Sequence, residues 1–211
     1  MSIEEIKESW LRIIWELFIK RGLRSTSMDD IASALHISKK TLYQHFKNKE
    51  DIVLQCMAWI ASPDFQEKVI NAIEQERALV VLHAIKQRIQ HDSTNYNIPA
   101  IFYDIKKFHP AIYDQINIQH QNFFNTILSH TIDKGIKEGV FKENENIKVQ
   151  IWLITYVMTS LKDPELQEQA LADLPKSQQK KISSVLLDNL VYSIATPEGL
   201  TEFETINKNN R

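Results

Sequence analysis

A single cysteine, four glycines and six prolines among 211 residues leave this chain little material for disulfides, tight turns or irregular loops. Cys56 has no second thiol to pair with, so no internal disulfide is available and a reducing cytoplasm fits. So few chain-breaking residues imply long uninterrupted segments. No stretch reaches about 18 uninterrupted apolar residues, so no membrane span and no membrane partner are expected. The opening MSIEEIKESW has early acids and no apolar core followed by a small-residue cleavage site, so it does not read as a secretory signal. Catalytic signatures are missing as well: there is no phosphate-cradling glycine loop and no pair of acids flanking one. His120 and His130 lie too far apart for metal-ligand spacing, and Cys56 has no histidine near it in sequence. Neither an enzyme nor a metal or cofactor site is expected.

What is present is apolar content of 43%, enough for a substantial core, and runs rich in Leu, Ile, Ala, Glu, Lys and Gln at helical period. The expected fold class is all-α. The net charge of −2 hides an asymmetry. Residues 20 to 49 hold seven Lys and Arg against Asp29 and Asp30, a local +5, so the remainder of the chain carries −7. A basic segment on an acidic body points to a local polyanion site.

That segment contains TSMDDIASALHISKKTLYQHFKNK, Thr26 to Lys49, which reads as a helix-turn-helix. Ser27 is placed as an N-cap, with Asp29 and Asp30 in the first turn at the positive end of the helix dipole. Ile31, Ala32 and Leu35 form an apolar stripe, His36 and Ile37 make the turn, and Ser38 caps a second helix whose Leu42 and Phe46 share one side. Lys39, Lys40, Tyr43, Gln44 and Lys47 remain on the other side, a cationic, hydrogen-bonding face without an acid.

Before this stretch, Ile6, Trp10, Ile13, Ile14, Leu17 and Phe18 give a first helix from Ile3 to Lys20, closed by Gly22. After it, Asn48 caps a helix from Lys49 that Pro63 interrupts. One helical pattern then runs from Phe65 to His91, followed by a polar loop HDSTNYN and an Ile98 to Phe108 helix. Pro110 opens a long helix that Gly139 ends; Ile147 to Leu161 is nearly continuous apolar and should be buried on more than one side. A weak amphipathic segment lies between Pro164 and Pro175, the last strong helix spans Gln178 to Ala195, and the polar tail from Pro197 should fray. The expected domains are 1–50, a connecting helix 51–62, a helical domain 63–197 and a tail 198–211.

The residues Leu17-Phe18, Gly22, Thr26 to Ala32, Ile37-Ser38-Lys39 and Thr41 to Glu50 resemble those of the TetR-type transcriptional repressors. Beyond residue 50 or so only general features are similar, such as His109-Pro110-Ala111-Ile112-Tyr113 opening a long helix. The chain departs from the pattern at His36, where the turn normally has glycine, at Lys40, where a small residue is common, and at Ile13-Ile14, where alanines are frequent. His tolerates the left-handed conformation better than a β-branched residue would.

The resemblance implies a three-helix DNA-binding domain followed by a helical domain for ligand binding and dimerisation. The homodimer would insert Lys39 to His45 of each subunit into the major groove of a near-palindromic double-stranded operator. Phosphate contacts fall to Thr26, Ser27, Tyr43, His45 and Lys49, and base-edge contacts to Lys39, Lys40, Thr41 and Gln44. Dimerisation falls to Ile147 to Leu161 and Gln178 to Ala195 in a two-fold four-helix arrangement. A small, mainly apolar inducer would lie among Phe102, Tyr103, Phe108, Phe123, Phe124, Trp152 and Tyr156, with His83, Arg88 and His120 as polar anchors. The rival functions are a transcriptional activator and an architectural DNA-binding protein without a small-molecule ligand.

Overall fold

The computed structural model describes the backbone of residues 3–95, 98–108, 110–161 and 163–209. Among these residues every regular element is a helix, and the one strand-like pairing is an isolated antiparallel bridge between Phe141 and Ala195. The first unit comprises α1 (Ile3–Arg21), α2 (Met28–Ala34), α3 (Lys39–His45) and α4 (Lys49–Ile60). Next come α5 (Pro63–Glu74), α6 (Ala78–Asn95), α7 (Ile98–Phe108), α8 (Pro110–Lys137) and α9 (Ile147–Ser160). The chain closes with α10 (Pro164–Ala170), α11 (Lys176–Gln179), α12 (Ile182–Ile194) and α13 (Pro197–Asn209).

Local chemistry accounts for most boundaries of the first unit. Gly22 has φ 88° and its amide donates to the Phe18 carbonyl at 2.8 Å, closing α1. Ser27 and Asp30 form a reciprocal capping box at the start of α2. His36 takes φ 55°; its amide donates to Ser33 O and that of Ile37 to Ala32 O, both at about 3 Å. That is a Schellman closure built on histidine in place of glycine, so the turn keeps its shape with a non-glycine residue in the left-handed region. Ile14, Phe18, Ile31, Leu42, Phe46 and Ile52 are buried in one core with Cys56. The same core includes Ile101, Phe102 and Ile105 of α7 and Tyr113 of α8, so the small unit draws part of its core from the larger domain. Of the expected α1 stripe, the side chain of Ile6 lies outside the described residues, as do His109 and the loop residues Tyr96 and Asn97.

The structure departs from the sequence reading in four places. The expected single helix from Phe65 to His91 is two, α5 and α6, broken at residues 75–77 where there is neither glycine nor proline. The break is held from outside: Lys134 of α8 donates to the carbonyls of Ile73 and Glu74, and Glu138 accepts from the Ala78 amide at 3.1 Å. α6 also continues to Asn95, through most of the expected polar loop. The helix expected from Gln178 is interrupted, α11 ending at Gln179 and α12 beginning at Ile182.

The fourth departure is the tail, which is the helix α13. The Thr196 hydroxyl accepts from the Gly199 amide at 3.1 Å, and Pro197 begins the first turn. Phe203 is 2% exposed, edge-on to Tyr192, in one core with Leu187 and Val191 of α12 and Leu79 and Leu82 of α6. Leu200, Phe203 and Ile206 recur at three-residue spacing, a signal outweighed in the sequence by the polar residues between them. Phe203→Ala should cost about 3 to 5 kcal/mol of stability. Denaturant titration checks this, and a change below about 1 kcal/mol would mean α13 is not part of the core.

Candidate nucleic-acid interface and ligand cavity

The exposed side of α3 is set by two buried anchors, Leu42 and Phe46, which turn Lys40, Tyr43, Gln44 and Lys47 to solvent. Lys40, Tyr43 and Gln44 make no hydrogen bond or ion pair with other described residues, so they are available to a partner. Lys39 is exposed and paired with Asp29 of α2 at 2.9 Å, which raises its pKa. Ser38 caps α3 through the Thr41 amide at 3.0 Å, and its hydroxyl also meets that of Thr41 at 2.8 Å. His45 packs edge-on against Trp10 of α1, ring centroids 5.0 Å apart.

Three of the expected phosphate contacts have other work in the fold. Thr26 is wholly buried, and its hydroxyl donates to the Gly22 carbonyl at 2.8 Å. The Ser27 hydroxyl is committed to the α2 cap, where it and the Ser27 amide donate to the Asp30 carboxylate. These bonds hold the Asp30 carboxyl below its usual pKa, with Arg21 adding to the effect. Lys49 directs its ammonium to the carbonyls of Leu23 and Thr26, at 3.0 and 3.1 Å. The loop from α1 to α2 leaves these carbonyls without helical partners, and a cation from the first turn of α4 satisfies both. Lys49 is therefore a clamp between the α1–α2 loop and the first turn of α4.

Beneath this unit is a cavity of about 1010 Å³. Its walls are mostly apolar and come from α5, α6 and α8, closed by Met158 and Leu161 near the end of α9 and by Lys176, Gln179 and Lys180 around α11. The first unit contributes Trp15 and Ile19 of α1 and Met57 and Ile60 of α4. Of the expected pocket residues, Phe102, Phe123, Phe124, Arg88 and His120 line it; His120 sits edge-on to Phe102 at 6.3 Å.

Tyr103, Phe108, Trp152, Tyr156 and His83 do not line the cavity. Phe108 is 57% exposed, with the Arg24 guanidinium 5.3 Å above its ring. Tyr103 lies beside Lys107, and the His83 ring is bonded to the Gln87 side chain one turn on. Trp152 and Tyr156 stack on each other at 5.3 Å on the outside of α9. Helical spacing shows that aromatics share a side and does not show which side faces inward. The cavity residues from α1 and α4 were missed because Trp15 and Ile19 fall outside the stripe that seats α2 and α3, and no local signal distinguishes a cavity wall from a core.

A further contact links the two halves. Asp104 of α7 is 8% exposed and paired with Arg24, in the loop after α1, at 2.9 Å. Its neighbour Phe102 is a cavity residue, so one short segment of α7 touches both the cavity and the α1–α2 loop. Cys56 is buried with its thiol directed at the Leu11 carbonyl, and burial pushes its pKa up, away from nucleophilic reactivity.

The distinction between clamp and contact is measurable. Lys49→Ala should destabilise the protein by about 1.5 kcal/mol, the loss of a pair of charge-assisted bonds at a partly exposed site. It should leave the salt dependence of DNA binding nearly unchanged. Lys47→Ala should do the reverse, lowering the slope of log K against log salt by about 1 for the lost phosphate contact, whereas Lys40→Ala should relax the preference at the base pair it reads. Melting curves and salt titrations of the three variants decide the matter; a reduced slope for Lys49→Ala with unaltered stability would restore it as a phosphate ligand.

Residues 11–56 match the model of the bacterial regulatory proteins of the tetR family. The chain is 26% identical over 143 residues to the transcriptional repressor KstR2 of Rhodococcus jostii, covering 66% of this chain and 69% of that one. It is 28% identical over 107 residues to the transcriptional activator FasR of Mycolicibacterium smegmatis, covering 49% of this chain and 48% of FasR, so it spans about half of that relative. Among solved structures, reduced NemR of E. coli superposes with a TM-score of 0.59 at 12% identity, covering 91% of this chain and 98% of that one, a likeness of fold. Residues 11–56, with the helix-turn-helix at their centre, thus belong to the tetR family of bacterial regulatory proteins, and the all-helical chain that carries them is similar to TetR-type DNA-binding transcriptional regulators.

Proposed function

We propose that this protein is a cytoplasmic repressor that binds a near-palindromic operator as a homodimer and is released by a small, mainly apolar ligand held in the cavity. The observation that carries the reading is the shared wall. Trp15 and Ile19 belong to the helix that seats α2 and α3, and Met57 and Ile60 to the helix that Lys49 clamps to the loop before α2, yet all four line the cavity. A ligand there touches directly the two helices that orient the DNA-reading surface. It shifts the population of half-site separations by as much as its affinity differs between them. The Arg24–Asp104 pair offers a second link, since displacement of Phe102 on α7 moves the carboxylate that holds the α1–α2 loop.

On this reading Lys40, Tyr43, Gln44 and Lys47 make the main DNA contacts, with Lys39 and Thr41 beside them. Gln44 is suited to pair with adenine and Lys40 to donate to guanine, while Tyr43 and Lys47 hold phosphates. No helix among the described residues is long and apolar enough to cross a membrane, and no membrane partner is invoked.

The unpaired side of α9 supports the dimer. Ile151, Ile154 and Met158 face the core, while Val149, Trp152, Leu153 and Tyr156 are each about half exposed or more. The sequence reading had α9 buried on more than one side; within a single chain only one is. Val185 and Tyr192 of the adjoining α12 are exposed in the same way. Two such helices from each subunit, related by a two-fold axis, make a four-helix interface. FasR, named an activator, favours the alternative sign of regulation; that reading shares the DNA-binding and dimer steps and differs in where the operator lies relative to the promoter.

Trp152→Asp combined with Leu153→Asp should weaken the dimer by about 2 to 4 kcal/mol and lower operator affinity with it. Sedimentation at micromolar concentration checks this; an unchanged dimer moves the interface elsewhere. The function itself is tested by selection of bound genomic DNA followed by gel shifts with small apolar molecules. The expected outcome is a near-palindromic site from which a ligand releases the protein. Equal affinity for random DNA, or an operator complex that no ligand alters, would overturn the reading.

A further inference from the structure

Taking the cavity as an effector site, a step that rests on the reading above, we propose that its ligand is an anionic amphiphile. An extended apolar body would lie among Trp15, Phe102, Phe123 and Ile127, and a carboxylate or phosphate head would meet Lys176 and Lys180. The apolar part follows from the walls, which are predominantly aliphatic and aromatic. The sign of the head follows from the charges among them. Among the described residues Lys68, Arg88, Lys176 and Lys180 line the cavity, against Glu76 as the one lining carboxylate. This excess stands in the part of the chain that carries the net −7, so it opposes the charge of its surroundings.

The lining cations are not equivalent. Lys68 is held by Glu8 at 2.7 Å and is largely neutralised by it. Lys176 and Lys180 make no ion pair among the described residues, although they lie four apart around α11 and so on one side of it. Like charges at that spacing repel, a repulsion that an anion bound between them would offset. The helix carrying them is pinned in place: the Gln179 side chain donates to the carbonyls of Leu171 and Leu174 at 2.9 and 2.8 Å. A short, anchored turn with two unpaired ammonium groups on a cavity wall matches an acidic head and repels a cationic one.

The test uses the full-length protein and calorimetry with decanoate, decyl phosphate, decanol and decyltrimethylammonium, each below its aggregation concentration, alongside release of operator DNA. Decanoate and decyl phosphate should bind about tenfold tighter than decanol, and the ammonium weakest. From octanoate through decanoate to dodecanoate, each added methylene should tighten binding about three- to fourfold. Lys176→Gln with Lys180→Gln should abolish the advantage of the anions while leaving affinity for decanol, and for operator DNA without ligand, unchanged. Lys176→Glu with Lys180→Glu should turn the preference toward the ammonium. Equal binding of decanol or the ammonium, or an anion preference that survives the double Gln variant, would overturn the anionic head and leave the effector cavity standing. If none of the probes binds or releases operator DNA, the effector reading falls and this inference with it.

Discussion

Within one core, Ile14 and Phe18 of α1 are wholly buried together with Ile52 and Cys56 of α4, while Trp15 and Ile19 on the same α1 form part of the cavity wall. α1 thus has tightly packed side chains toward the reading head and apolar side chains toward an open space. Close-packed interiors transmit displacement because they have little free volume to absorb it. The route proposed for a ligand signal runs through this packing, from the cavity side of α1 and α4 to α2 and α3. The Lys49 clamp completes the connection, since it joins the loop before α2 to the first turn of the helix whose far end meets the cavity.

The second constraint is the imbalance between the two sides of α9. α9 carries Ile151, Ile154 and Met158 inward and Val149, Trp152, Leu153 and Tyr156 outward, and the described residues of one chain leave the second set uncovered. Scattered surface apolar residues are common, but a contiguous exposed stripe that includes a stacked Trp–Tyr pair is the kind of surface that marks interaction sites, and the proposed dimer uses it. It lies on α9 and continues onto Val185 and Tyr192 of the adjoining α12.

Much of the first fifty residues was legible because its determinants are local. The pairs Ser27 with Asp30, Ser38 with Thr41 and Asn48 with Asp51 satisfy helix ends within a few residues, and the caps could be placed from spacing alone. The His36 turn was legible for the same reason. Side-chain roles were less so. Thr26 and Lys49 are polar residues next to a DNA-reading helix, and only the fold reveals that the carbonyls of Gly22 and Leu23 claim them. In the larger domain, Phe102, Phe123, Phe124, Arg88 and His120 were placed among the cavity residues, whereas Trp152 and Tyr156 were not distinguishable from them by pattern.

The all-helical class, the helix-turn-helix and the basic face of α3 are written in the order of the residues, because hydrophobic period, capping side chains and local charge are all encoded within a turn or two of chain. The break between α5 and α6 arises only in the folded chain, since it depends on Lys134 and Glu138 reaching across from α8, some sixty residues away in sequence. The docking of α13, the uncovered side of α9 and the cavity that opens against α1 and α4 arise there too. These features are relations between surfaces distant in the chain, and an apolar side chain looks the same in sequence whether it meets a core, a partner or a ligand.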